Sequence, residues 1–137
     1  PDQFFDITFC SSVIEHVTID RSRVYTIRSS KDFAKAATVR QRKFASEIRR
    51  VSKRYFVQTP NKYFLLESHT WLPVIIIFLP RHLYLSLISF FNRWWPKKTL
   101  PDWYLLTQRE MRELFPDAEI VVEKSFGMKK SIMAIKY

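Results

Sequence analysis

One glycine, Gly127, stands among the 137 residues. Average usage of about 7% gives a chain of this length roughly ten. Glycine lets the backbone take positive φ and come close to a ligand. Loops that need two or more of them to cradle phosphate or sugar are therefore absent, which excludes the GxGxxG and Walker A signatures.

The chain is long enough for one domain with a real core. Hydrophobic residues make up 47% and aromatics 16%, which argues against a disordered chain. The lone Cys10 permits no internal disulfide, as fits a reducing compartment. The start "PDQFFD" has no initiator Met, basic n-region or apolar h-region, and reads as a fragment or processed product without a secretory signal. Charge is concentrated in one region. Between Arg21 and Arg54, twelve Lys/Arg stand against Asp32 and Glu47, a net +10, while eleven basic and eleven acidic residues balance elsewhere.

Along the chain, Phe5 to Cys10 reads as a short buried strand. "SSVIEHV" then starts a short helix, with Ser11 or Ser12 as N-cap and Glu15 in the first turn. Residues 18–30 read as loop. From Lys31 a helix is expected, with Phe33, Ala37, Phe44, Ile48 and Val51 on one face and Ser29 with Asp32 as its capping box. "RYFVQTP" reads as a strand stopped by Pro60. Residues 61–103 form an insert whose apolar runs are broken by Pro73, Pro80 and Arg81-His82. Neither run reaches the roughly 18–20 residues of a membrane span. Helical hairpin, lid and interfacial segment all suit it. Thr107 and Glu110 form a second capping box, with Leu106 and Met111 as hydrophobic staple, and Pro116-Asp117 ends that helix. "EIVVEKSFG" and "KKSIMAIKY" read as an antiparallel pair around Gly127. The alternation argues α/β, with a largely parallel sheet and one antiparallel strand near the end.

One Cys and three His (His16, His69, His82) show none of the paired spacings of a zinc site, so no metal is expected. Cys10 with His16 six residues on is a weak nucleophile–base pair, and a strand-end Cys reads first as a small hydrophobe. Glu110, Glu113, Asp117, Glu119 and Glu123 read as an exposed helix and hairpin, not as paired catalytic acids. Cys10-Ser11-Ser12 is another matter. Ligands of open α/β sheets bind outside the carboxyl ends of strands, and small side chains there admit a ligand, though an ordinary helix cap has the same residue types.

"FDITFCSSVIEHV" resembles the fourth strand and following loop of class I S-adenosylmethionine-dependent methyltransferases of the type 11-like kind. "KFASEIRRVSKRYFVQTPN" is similar to the next helix and fifth strand, "LLTQREMRELFPDAEIVVEKSFG" to the following helix and sixth strand, and "KSIMAIKY" to the last strand. "YFLLESHTWLP" falls in the insert that shapes the acceptor pocket of such enzymes. The resemblance covers nearly the whole chain. The family's glycine-rich loop, the acidic residue that holds the ribose, and strands one to three have no counterpart here.

The resemblance implies a partial Rossmann-like sheet, strands 4-5-7-6 of the order 3-2-1-4-5-7-6, in a single partial domain over residues 1–137 with residues 61–103 as a helical insert or lid. The first strand would be an open edge, which invites pairing or aggregation. It implies S-adenosylmethionine as cofactor, a small-molecule methyl acceptor, and no activity from this half alone. Cys10, Ser11, Ser12 and Glu15 would border the cofactor. Tyr63, Glu67 and His69 would contact the acceptor, and His16 or His69 would serve as base where one is required.

Two other readings compete. The basic stretch Arg21–Arg54 suits phosphate neutralisation, but lacks interleaved aromatics at stacking spacing, which counts against nucleic acid as a partner. The stretch 71–95, apolar with a Trp/Arg/Lys-rich end, suits peripheral membrane contact. The expected location is cytoplasmic, with membrane-peripheral attachment through 71–95 as the variant.

Overall fold

The computed structural model of the chain describes residues 1–64, 78–94 and 98–137. In order come β1 (Phe5–Ser11), 3-10 turns at Ile14–His16 and Arg21–Arg23, α1 (Ser30–Val51), β2 (Ser52–Pro60), α2 (Arg81–Trp94), α3 (Gln108–Leu114), β3 (Glu119–Ser125) and β4 (Met128–Lys136). The strands form one sheet in the order β1-β2-β4-β3. β1 and β2 are parallel, from Phe5 opposite Ser52 to Ser11 opposite Gln58. β4 is antiparallel to both β2 and β3. Three strands thus point one way and β4 alone the other, the α/β arrangement that the alternation predicts.

Local chemistry explains the elements. At the start of α1 the Ser29 hydroxyl accepts from Asp32 N at 3.2 Å, satisfying one of the orphan donors of a helix N-terminus. The buried residues of α1 are Phe33, Ala37, Gln41, Ala45 and Ile48, a stripe at helical spacing. Phe44 and Val51, expected on that stripe, are half-buried at its flanks. The α3 capping box is complete: Thr107 accepts from Glu110 N, and the Glu110 carboxylate accepts from Thr107 N. Leu106 and Met111 are buried together beside it. Between β3 and β4, Phe126 and Gly127 both take positive φ, 50° and 75°, the pattern of a type I′ hairpin turn.

The main core joins Ala45 and Ile48 of α1, Met111 and Leu114 of α3, and Tyr55, Val57, Ile132 and Ala134 of the sheet. These strand residues share one face by the two-residue period. The opposite face carries the next residues along. There Phe5, Ile7 and Phe9 are 50%, 65% and 71% exposed, and Phe9 stacks on Phe56 with ring centroids 5.2 Å apart. The expectation of a buried first strand is therefore corrected: in β1 only Cys10 is buried, because β1 lies at the sheet edge and its odd-numbered side chains point away from the helices. No described strand pairs with its outer backbone edge either. Ser12 N donates to Gln58 O at 3.0 Å, so even-numbered residues face β2 and the amides and carbonyls of Phe5, Ile7 and Phe9 face outward.

The second correction concerns the serines. The turn after β1 has Val13, not Ser11 or Ser12, at its N-cap, with no side-chain cap. Ser11 is still strand, and Ser12 has φ 54°. The strand runs one residue longer than expected and reverses through a left-handed residue, so no hydroxyl is aimed at the turn's amides.

Candidate ligand cleft at the strand ends

The parallel strands β1 and β2 end side by side, and the turns beyond them pack together with the segment before α3. Glu15, in the 3-10 turn, is fully buried. Its Oε2 accepts from Thr59 Oγ1 at 2.9 Å, and its backbone oxygen accepts from Tyr104 N at 2.8 Å. His16 Nδ1 lies 2.9 Å from Asp102 Oδ1, while Thr18 Oγ1 donates to the Asp102 carbonyl. Gln41 Nε2, from the middle of α1, donates to the carbonyls of Ile14 and Tyr104, each at 3.0 Å. After β2, buried Asn61 is locked by its backbone N to Lys130 O at 2.9 Å and its Nδ2 to Lys129 O at 3.0 Å. Lys62 N donates to Leu106 O at 3.1 Å. Three segments distant in sequence thus form one rim: 11–16, 59–63 and 102–106.

Of the residues singled out in the sequence, Ser11, Ser12, Glu15, His16 and Tyr63 stand on this rim. Ser11 is half-buried, with its hydroxyl 3.4 Å from Gln58 Oε1, and Ser12 is exposed. Cys10 is at the same strand end, but its side chain belongs to the core under α1. Burial, and then the charge of Glu15, push its thiol pKa up, so it stays protonated, poor in the thiolate that reacts. Tyr63 is exposed, its ring centroid 6.4 Å from that of Phe78 in a stacked arrangement. Glu67 and His69 lie outside the described residues, as does part of the stretch 71–95.

Asp102, Thr59, Asn61 and Tyr104 hold the rim and have no claim on the sequence alone. Asp102 is 86 residues from His16, with no periodicity linking them. Only the Pro-Asn after β2 leaves a trace, as part of the family resemblance. Among the described residues no group of three or more His, Cys, Asp or Glu is placed to hold a metal, and no helix is long and apolar enough to cross a membrane. Within the basic stretch, Arg40, Arg49 and Lys53 are paired with Asp20, Asp117 and Asp6, and Arg50 with both Asp2 and Glu47.

The chain is thus an α/β protein whose buried polar network sits at the carboxyl ends of its parallel strand pair. No protein-family model matches the sequence, and neither a curated protein nor a solved structure matches the chain.

Proposed function

We propose that this chain is the carboxy-terminal half of a class I S-adenosylmethionine-dependent methyltransferase fold, carrying one wall of the cleft that holds the methyl donor. The observation that carries the reading is the strand order β1-β2-β4-β3 with β4 alone reversed, the order expected of the 4-5-7-6 end of that fold's sheet. The open β1 edge then falls where strand one would pair. The rim at the carboxyl ends of β1 and β2 is where such sheets bind ligands.

The residues present fit one side of the donor. The exposed turn at Ser11-Ser12 gives room for close approach, and the buried Glu15, held by Thr59 and by Tyr104 N, braces it from beneath. Bound S-adenosylmethionine supplies an electrophilic methyl group. The chain's own work is to position, to exclude water and, for an acceptor that must lose a proton, to take it. His16 suits that last role: with Nδ1–H donating to Asp102, the tautomer is set and Nε2 is the basic atom. With one glycine in the chain, the glycine-rich wall must come from elsewhere, so these 137 residues alone do not methylate.

Titration of the labelled chain with S-adenosylhomocysteine, followed by amide shifts, tests the reading. The amides of Ser11–His16 and Asn61–Lys62 move at millimolar ligand, with no methyl transfer. Silence of those amides at saturation removes the proposal. Micromolar affinity by calorimetry removes the claim that the second wall is needed.

A further inference from the structure

Beside the strand-end rim lies a cavity of about 260 Å³. Its walls are aromatic: Phe33 from α1, Tyr84 from α2, and Trp103 and Tyr104 from the segment that also carries Asp102. Two cations, Lys62 and Arg81, line it, and among the described residues no carboxylate does. The cavity is joined to the rim through the Tyr104 N to Glu15 O bond and through Asp102, the neighbour of Trp103 in sequence.

Arg81 is the unusual member. It is only 5% exposed. Its Nε donates to Ile27 O at 2.7 Å, and its Nη2 to Val24 O at 3.0 Å and Pro101 O at 3.4 Å. Its Cζ stands 3.5 Å from the centroid of the Phe33 ring. Every one of these partners is a neutral carbonyl or a π face. Among the described residues Nη1 makes no hydrogen bond and no carboxylate pairs with the guanidinium. Buried charges are ordinarily paired, because a carbonyl shell returns only part of the lost hydration. Burial accordingly pushes this guanidinium's pKa down from its ordinary value. Lys62, half-buried, also faces aromatic rings. Its ammonium lies 5.5 Å from the Tyr104 ring centroid and 6.0 Å from that of Tyr63, and it makes no ion pair with a described residue.

We infer that this cavity binds a small aromatic carboxylic acid, its carboxylate between Arg81 Nη1 and the Lys62 ammonium and its ring among Phe33, Tyr84 and Trp103. Arg81 Nη1, the guanidinium nitrogen without a hydrogen-bond partner among the described residues, gives a carboxylate a charge-assisted donor. The apolar walls favour a ring over a hydrated phosphate. The volume lies at the small end of ligand pockets, which limits the ligand to about one ring with a short acid arm. That the acid is the methyl acceptor rests on the methyltransferase reading; that it binds does not.

The probe is hydrocinnamate, with its uncharged amide as control, titrated into the full chain and read by amide and indole shifts. Hydrocinnamate shifts Ala34, Leu105 and the Trp103 indole, binds about tenfold or more tighter than the amide, and weakens as salt is raised. Lys62→Gln removes most of that preference without touching the core. Arg81→Lys tests the guanidinium donor, and because Arg81 also ties three carbonyls together, Lys62→Gln remains decisive if that variant does not fold. Equal affinity for acid and amide, an unchanged preference in Lys62→Gln, or shifts confined to other surfaces overturn the inference. If the acid fails while S-adenosylhomocysteine still shifts Ser11–His16, the acid is wrong and the methyltransferase reading stands. If the acid binds and S-adenosylhomocysteine does not, the pocket stands and that reading falls.

Discussion

Gln41 reaches from the middle of α1 to the backbone oxygen of Ile14, with its Nε2 at 3.0 Å, and so fixes the turn after β1 to the helix that covers it. The same amide satisfies the carbonyl of Tyr104. Gln41→Leu leaves both carbonyls without this donor inside the protein. The expected loss is about 1–3 kcal/mol, read as a lowered urea midpoint with unchanged slope. Amide exchange speeds up first at residues 14–16 and 104–106. A neutral Gln41→Leu shows that the strand ends are held by something else.

Acid lowers stability, and Asp117 is a principal reason. Burial raises its carboxyl, but the Tyr55 hydroxyl at 2.8 Å, Lys136 and Arg49 outweigh that and hold it below the ordinary aspartate value. Asp6, Asp20, Glu47 and Glu123 are lowered as well, by Lys53, Arg40, Arg50 and by Ser131 with Lys130. A folded-state pKa below the unfolded one means the unfolded chain binds the proton more readily. The contribution is present in full above about pH 5 and disappears as pH falls through the folded pKa values. Unfolding free energies measured from about pH 6 down to about pH 2 fall along this limb, and Asp117→Asn makes the fall shallower. An unchanged slope in Asp117→Asn contradicts the assignment.

The hairpin turn stores strain at a replaceable residue. Phe126 is 95% exposed at φ 50°, a left-handed conformation that costs a bulky side chain about 1–2 kcal/mol. Asn accepts it, and Asn-Gly is the preferred pair for such a turn. Phe126→Asn should raise the thermal midpoint. Gly127→Ala should lower it, although a Cβ there meets nothing within 4 Å, because its cost is in the backbone alone.

The β1 edge invites pairing. Its outward amides and the exposed Phe5, Ile7 and Phe9 form an apolar edge strand that no described strand pairs with. The chain alone should associate with rising concentration in sedimentation velocity. Ile7→Lys or Phe9→Lys should shift it toward monomer with little change in stability, since neither side chain is in the core. Equal association in both variants places the contact elsewhere.

The legible part of the fold is the part that local forces decide. Caps are local: Ser29 before α1 and Thr107 with Glu110 at α3 are readable from spacing. The hairpin around Gly127 is readable for the same reason. Whether a strand is buried depends on its neighbours, and "FDITFC" has the composition of a central strand while lying at an edge. The polar rim is half legible. Glu15 and His16 are marked by their place after a strand, but Thr59, Asp102 and Tyr104 are supplied by chain folding 44 to 89 residues away. In the sequence Arg81 is only a break in an apolar run. Its role depends on three carbonyls that no pattern in the sequence brings together.

The reversal of β4 has a consequence for the order in which the protein can be assembled. β4 is the last strand in sequence, yet it is the one that joins β3 to β2. As the chain leaves the ribosome, β1, α1 and β2 can form a parallel pair with its helix, but β3 has nothing to pair with until residues 128–136 emerge. Until then the inner edge of β2 stays bare, as does the side of the core that Ile132 and Ala134 complete. Folding therefore finishes in the middle of the sheet, where β4 fills the gap between β2 and β3, and the nascent chain exposes an unpaired strand edge longest where a chaperone would have most to protect.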